Sequence, residues 1–233
     1  MSSPQPILDW RPGHDPRSRD FPFRSLVAQP VAPRVRRWKP GVVLDQGAEG
    51  ACVGFGWTGE LLASPRRAES KVTAARGNRF ALDVYRRAQI IDQWPGEDYS
   101  GTSVLAGAKV MQERGFISSY RWCFGIGDVR DALILEGPVV IGVPWFESMY
   151  TTIGDAEVSV EGDQVGGHCI LLTGYHPAHP RYDGREMYRW RNSWGPDYGD
   201  GGTAWIDAAD LAALLADGGE ACVPIGRRGF AIP

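Results

Sequence analysis

Cys52 closes the stretch DQGAEGAC (45–52), and a cysteine in that setting can act as a nucleophile. A thiol attacks only as its thiolate, and its pKa of ~8.5 is depressed by a helix N-terminus or a neighbouring imidazolium. CVGFGWTGELL, from Cys52 to Leu62, is apolar at helical spacing and stops at Ser64-Pro65, so the spacing predicts a helix whose first turn holds the cysteine. Gly47 and Gly50 permit a tight turn into that helix and leave the sulfur uncovered. The backbone N–H of Cys52 is an unpaired donor at a helix start, and the amide of Gln46, six residues earlier, could provide a second donor to a developing oxyanion.

Such a nucleophile needs a base and an orienting partner. Of the four histidines, only His168 lies in an apolar strand-like run, GGHCILLTGY; His14, His176 and His179 sit in Pro-rich loops. EMYRWRNSW follows the turn-rich HPAHPRYDGR, so the two runs read as a hairpin. With its loop centred on Pro180, partners sum to 360, which sets Asn192 (168 + 192 = 360) opposite His168, its amide oxygen able to hold the ring. Trp194 projects to the face of Asn192 and could shield that bond, while Cys169 points the other way into core packing.

Each residue also has an ordinary reading. Taken singly, Cys52 is a small buried residue, His168 a satisfied core histidine, Asn192 a turn residue, Trp194 and Trp205 core aromatics, and Glu49 a solvated charge. Asp197, Asp200 and Asp207 lack metal spacing and read as loop and cap residues, so neither metal nor cofactor is expected.

The elements that position these residues follow from composition and pattern. The chain has 233 residues, 43% hydrophobic and 23% charged, with nine tryptophans, which suits a packed core and not disorder. The longest apolar run, Val139 to Phe146, is too short to span a bilayer, and MSSPQPILDWRPGHD lacks the pattern of a secretory signal, so a cytoplasmic address without membrane contact is expected. Cys52, Cys123, Cys169 and Cys222 form no C-x-x-C pair and read as reduced thiols.

The net charge of −3 divides unevenly: residues 1–40 hold eight Lys/Arg against three Asp, or +5, leaving −8 for the rest. That suits an extended arm lying on its own acidic body; interrupting prolines and few stacking aromatics speak against a nucleic-acid arm. The expected division is an N-terminal arm over 1–40 and a catalytic domain over 41–233. Helices are expected at Cys52–Leu62, Asn78–Ile91, Thr102–Arg114 (capped by Ser100 or Thr102), Asp128–Glu136 and AADLAALLA after Asp207. Strands are expected in PVVIGVPWF, EVSV, HCILLTGY, EMYRWRNSW and TAWI. A helix-rich segment (41–136) followed by a strand-rich one (137–233) implies an α+β fold of two lobes.

DQGAEGAC with its aromatic-rich helix, GGHCILLTGY, and RNSWGPDYGDGGTAWI together resemble the three motif blocks of papain-like cysteine peptidases, in the order Gln, Cys, His, Asn and over about Val42 to Ile206. The RNSWG block is the most specific part. The resemblance implies a helical lobe carrying the nucleophile and an antiparallel β-barrel-like lobe carrying the histidine and asparagine. It implies Cys52 as nucleophile, His168 as acid and base, Asn192 as orienter, Gln46 as oxyanion donor and Trp194 as shield. It sets Tyr99-Ser100-Gly101 where substrate backbone pairs, and Gly142 and Gly167 on the wall of a roomy specificity pocket.

Glu49 stands where secreted members carry a disulfide cysteine, and Val53 replaces the tryptophan that ordinarily follows the nucleophile. About 45 residues precede Gln46, fewer than the family's long inhibitory pro-region, so control is expected by other means. The construction resembles bacterial or bacteriophage members more than lysosomal ones. The implied activity is hydrolysis of a polypeptide substrate through an acyl-thioester. An isopeptidase or amidase acting on cell-wall or phage structural substrates, and a silent papain-like binding module, are the alternatives. The arm from Trp10 to Phe23 is expected to pack on the body near the cleft, as an inhibitor or as a strap.

Overall fold

Three glycines in CVGFGWTGELL each cost about 1 kcal/mol of helix propensity, so this helix depends on what it packs against. In the computed structural model, which describes residues 5–13, 15–66, 72–92 and 100–229, α1 covers Cys52–Leu62 and every residue from Cys52 to Leu61 is buried. Gly56 is needed for that burial: a methyl there would stand 2.8 Å from Cys169 Sγ, so its absence lets α1 lie directly on the strand that bears His168. The other helices are α2 (Ala74–Asp92), α3 (Val104–Glu113), α4 (Ile126–Leu135) and α5 (Ala208–Ala216). The cap of α3 is Ser103, which accepts from Ala106 N at 3.1 Å, in place of the expected Ser100 or Thr102. Asp207 caps α5 as expected, accepting from Ala209 N at 2.8 Å.

Eight strands form one sheet: β1 (Arg36–Arg37), β2 (Ser119–Cys123), β3 (Val139–Phe146), β4 (Glu157–Val158), β5 (Gln164–His179), β6 (Arg185–Arg191), β7 (Thr203–Asp207) and β8 (Glu220–Ile225). Their order is β2-β8-β3-β5-β6-β7-β4, with β1 added to β5. The ladder is an open path and does not close into a barrel. Pairing is antiparallel except for β4 with β7. SYRWC and EACVPI carry β2 and β8, which pair along their length; both strands are absent from the sequence-level expectation because neither shows a distinct alternation.

Two large cores result. One lies between the sheet and α4 and α5, around Trp145, Trp190, Tyr188 and Leu211. The other lies under α1, α2 and α3 and takes Val140, Cys169, Leu171 and Cys222 from the sheet, so the two lobes share one interior. All four cysteines are free and buried. Glu60 of α1 is clamped between Arg66 and Arg227 at 3.0 and 2.7 Å, tying α1 to the C-terminal tail. The arm rests on both lobes: Phe23 is buried in the β-lobe core, and Trp10 is buried against the helical one.

Candidate active site

Hydrogen bonds link Gln46 to Ser193, Ser193 N to Asn192 and Asn192 to His168, and Cys52 lies against the backbone of Cys169, the residue after His168. Cys52 is the first residue of α1, behind Ala51, which offers no side-chain cap, so the helix start keeps its donors. Its thiol is fully buried and pushed up to about 11, first by burial, against hydrogen bonds from backbone N–H groups of Cys169, Asp9 and Val53. The charge of Asp9 adds to the upward push. The sequence-level expectation of a depressed thiol is thereby reversed: desolvation outweighs the helix terminus.

His168 lies on β5 and is fully buried. Its Nε2 is 2.8 Å from Asn192 Oδ1, an oxygen that also accepts from Ser193 N at 2.7 Å. An amide oxygen can only accept, so the ring proton sits on Nε2 and the lone pair on Nδ1, which is buried and has no partner among the described residues. Burial holds the imidazole down to about 4, against the raising effect of Asn192. In this state, the resting pair is a neutral thiol and a neutral imidazole.

The predicted hairpin register is displaced. Leu171 pairs with Arg191 and Leu172 with Trp190, sums of 362, and bulges after Leu172 and His176 shift the later pairs further. Asn192 follows the last paired residue of β6 and does not stand opposite His168. A two-residue slip preserves parity, so both side chains keep the same face, and the hydrogen bond forms on a diagonal.

Trp194 stacks on the imidazole, ring centres 4.7 Å apart and planes 30° from parallel. Three aromatics that sequence reasoning missed complete the enclosure: Trp145 meets His168 edge-on at 4.7 Å, Tyr150 stacks on the far side of Trp194 at 5.5 Å, and Tyr198 meets Trp194 at 5.2 Å. Trp145 was foreseeable as part of a strand but not as a neighbour of His168, because that proximity depends on the pairing of β3 with β5.

Residues 7–11 of the arm lie across these residues, bonded to Gln46, Thr102 and Gly167. Gln46 Nε2 donates to Ile7 O at 3.1 Å and to Glu49 O at 2.8 Å, while its Oε1 accepts from Ser193 Oγ at 2.6 Å. A side-chain donor available for an oxyanion is therefore turned onto an arm carbonyl. Trp10 N donates to Gly167 O at 3.0 Å, Arg11 N to Thr102 O at 3.1 Å, and Thr102 N to Asp9 O at 3.2 Å, so the arm is stitched to both lobes. Ser100 Oγ donates to Asp9 Oδ1 at 3.1 Å, and Gly101, at φ +85°, leaves the space that Asp9 O fills. Gly50 likewise makes room for the Asp9 carboxylate, which thus lies beside Cys52. Tyr99 lies outside the described residues.

The indole of Trp10 packs on both Gly142 and Gly167: a methyl on either glycine would run into the ring. Trp10 Nε1 donates to Glu220 Oε1 at 2.9 Å, and that oxygen also accepts from Val104 N at 3.2 Å. Glu220, at the start of β8, is pushed up to about 7 by burial. Nothing in the sequence marked it, since its neighbours across β3 and the arm are remote along the chain. Glu49 is exposed, as expected, and Val53 is buried in the helical lobe. The arm around Trp10 packs on the body, as expected, and five extended residues make these contacts.

No protein-family model and no curated protein sequence matches the chain. Solved structures do. Xylellain, a cysteine protease from Xylella fastidiosa, superposes with a TM-score of 0.68 at 19% identity, over 98% of this chain and 100% of that one. The chain has the papain-like fold. Digestive procathepsin L 3 of Tenebrio molitor larval midgut follows at TM-score 0.57 and 16% identity, over 88% and 73% of the two chains. The ragweed pollen allergen Amb a 11, a cysteine protease in its proform, gives 0.56 and 15%, over 90% and 70%. At these identities the papain-like architecture is what is shared, and the chemistry rests on the residues present in the groove. Among the described residues, no cluster of His, Cys, Asp or Glu is arranged to hold a metal, and no helix is long and apolar enough to cross a membrane.

Proposed function

We propose that this chain is a cysteine peptidase that cleaves polypeptide amide bonds and that its own arm holds it shut. The observation that carries this reading is His168, its proton fixed on Nε2 by Asn192 Oδ1 at 2.8 Å and its lone pair left on a buried, unpartnered Nδ1, on the strand against which Cys52 opens α1. Once the arm leaves, the thiol proton passes to Nδ1 and the thiolate attacks the carbonyl carbon. The oxyanion that forms is held by the Gln46 amide and the Cys52 N–H. His168 then returns the proton to the leaving amine, and water releases the acyl group from sulfur. Trp194 keeps water from the His168–Asn192 hydrogen bond.

Substrate backbone in this reading runs past Ser100 and Gly101, and a side chain enters the pocket between Gly142 and Gly167 that Trp10 now fills. Two structural neighbours, the Tenebrio and ragweed proteins, are themselves pro-forms. The test is hydrolysis of a peptide library by the intact chain, by Trp10→Ala and by Trp10→Ala with Cys52→Ala. Activity that appears in Trp10→Ala and vanishes with Cys52→Ala is expected. A folded Trp10→Ala protein without hydrolysis would identify a silent binding module instead.

A further inference from the structure

Arg37 of β1 pairs with Gly174 of β5, and Gly174 pairs on its other side with Arg189 of β6. A methyl on Gly174 would lie 3.3 Å from Arg189 Cβ and 3.6 Å from Arg37 Cγ, so both arginine stems rise on the face that this glycine leaves bare. Arg191, two residues along β6, shares the face of Arg189. The guanidinium of Arg37 leans over the ring of Trp205 at 4.9 Å, and Trp205 is the cross-strand partner of Arg189, so the charge of Arg37 is carried toward that of Arg189. A bulge between Leu172 and Gly174 lies directly beside this row.

Among the described residues, none of these three arginines forms an ion pair. Their contacts are with neutral groups: Arg189 Nη2 donates to Thr203 Oγ1 at 2.9 Å, Arg191 Nη1 to Gly201 O at 2.6 Å, and Arg37 Nη2 meets His179 Nε2 at 3.1 Å. Arg191 Nε is buried without a partner. Burial and then the neighbouring guanidinium hold Arg189 and Arg191 below the usual arginine range, while Asp200 opposes this through space without reaching either. Partly desolvated like charges left unpaired are unfavourable, and an anion relieves them.

We propose that Arg37, Arg189 and Arg191 form a binding site for a small phosphate-bearing polyanion of the pyrophosphate type. Planar guanidinium forks match phosphate oxygens two at a time, and three such forks on one face offer more donors than a single phosphate takes. Arg37 and Arg189 stand apart from His168, since Gly174 is six residues along β5 from it, about 20 Å at ~3.3 Å per residue, while Arg191 adjoins Asn192 in sequence and takes the opposite face of the sheet.

Calorimetric titration of the full chain with sodium pyrophosphate at fixed ionic strength tests this, with sodium chloride and sodium sulfate as controls. Saturable binding at one equivalent is expected, weakened at least tenfold in Arg37→Gln and in Arg189→Gln, and unchanged in Arg17→Gln, an exposed arginine paired with Asp15. Protein blocked at Cys52 by an alkylating agent should bind equally, which separates this site from the peptidase reading. Absence of saturable binding, equal binding by Arg37→Gln, or a sulfate response equal to that of pyrophosphate would overturn it. Should Arg189→Gln fail to fold, the exposed Arg37 carries the test alone.

Discussion

The indole of Trp10 donates to Glu220 Oε1 at 2.9 Å, joining residues 210 positions apart at the floor of a pocket walled by two glycines. In the proposed function, a substrate displaces that ring before its side chain enters. The relation couples the arm to the reactivity of Cys52, because Asp9, adjacent to Trp10, is the residue pressed on Cys52.

Trp10→Ala removes the indole that anchors the arm. Truncating a buried tryptophan costs about 3–5 kcal/mol where the structure cannot collapse around the loss. Even half of that shifts the closed-to-open ratio by more than tenfold. Hydrolysis of a fluorogenic peptide library should rise by at least that factor; an unchanged rate would mean that the arm is a strap and not a plug.

Thiol reactivity should follow the arm. With Cys52 pushed up to about 11 and His168 held at about 4, the intact chain keeps both neutral through physiological pH. Iodoacetamide should label Cys52 slowly, its rate still climbing above pH 9. In Trp10→Ala the labelling at pH 6–7 should accelerate, while Cys123, Cys169 and Cys222, all raised by burial, stay slow. Mass-spectrometric mapping of the alkylated peptides decides between these outcomes.

Glu220 gives a pH signature with a fixed sign. Its carboxyl is pushed from 4.5 to about 7, so between these values the folded chain holds a proton that the unfolded chain has released. The resulting stabilisation is full below about pH 4.5 and is lost as the pH rises through 7, a loss of roughly 3 kcal/mol at most. His168, depressed to about 4, contributes the opposite trend between 4 and 6.5, so the comparison must be with Glu220→Gln. Relative to that variant, the wild-type chain should lose stability in urea titrations from pH 5 to 8; parallel curves would exclude the linkage.

Asn192→Ala removes the acceptor that fixes the proton of His168. The buried Nε2–H is then unpaired, at a cost of about 1–3 kcal/mol in stability. Measured in the Trp10→Ala background, kcat should fall by about 10²-fold or more, since general acid–base catalysis is worth about 10²–10⁴ and requires the correct tautomer. A fall in stability with kcat intact would assign Asn192 a purely structural part.

Glu60→Ala leaves Arg66 and Arg227 buried around an empty acceptor. Removing one member of a buried charge cluster costs about 3–5 kcal/mol, and the chemical-denaturation midpoint should drop accordingly. A loss below 1 kcal/mol would mean that water reaches these arginines once the carboxylate is gone.

Local sequence carried a good deal of this. The span Cys52–Leu62 for α1, the cap at Asp207 and the β runs after Gly137 were legible because each is dictated by spacing, capping chemistry or β-branched composition within a dozen residues. The candidate site was legible as residue types in order. Its hairpin register was not: bulges after Leu172 and His176 insert residues that no alternation pattern reveals, and the His168–Asn192 bond survived only because the slip was even.

The sequence by itself determined the α+β composition and set His168 and Asn192 on one face of the sheet, since these follow from local periodicity and motif chemistry. Only the tertiary structure decided that Trp10 fills the Gly142–Gly167 pocket above Glu220, that Trp145 and Tyr150 complete the box around His168, and that Arg37 meets Arg189 across Gly174. It also decided the protonation of Cys52 and His168, because desolvation is a property of what the whole chain packs around a group and not of its neighbours in sequence.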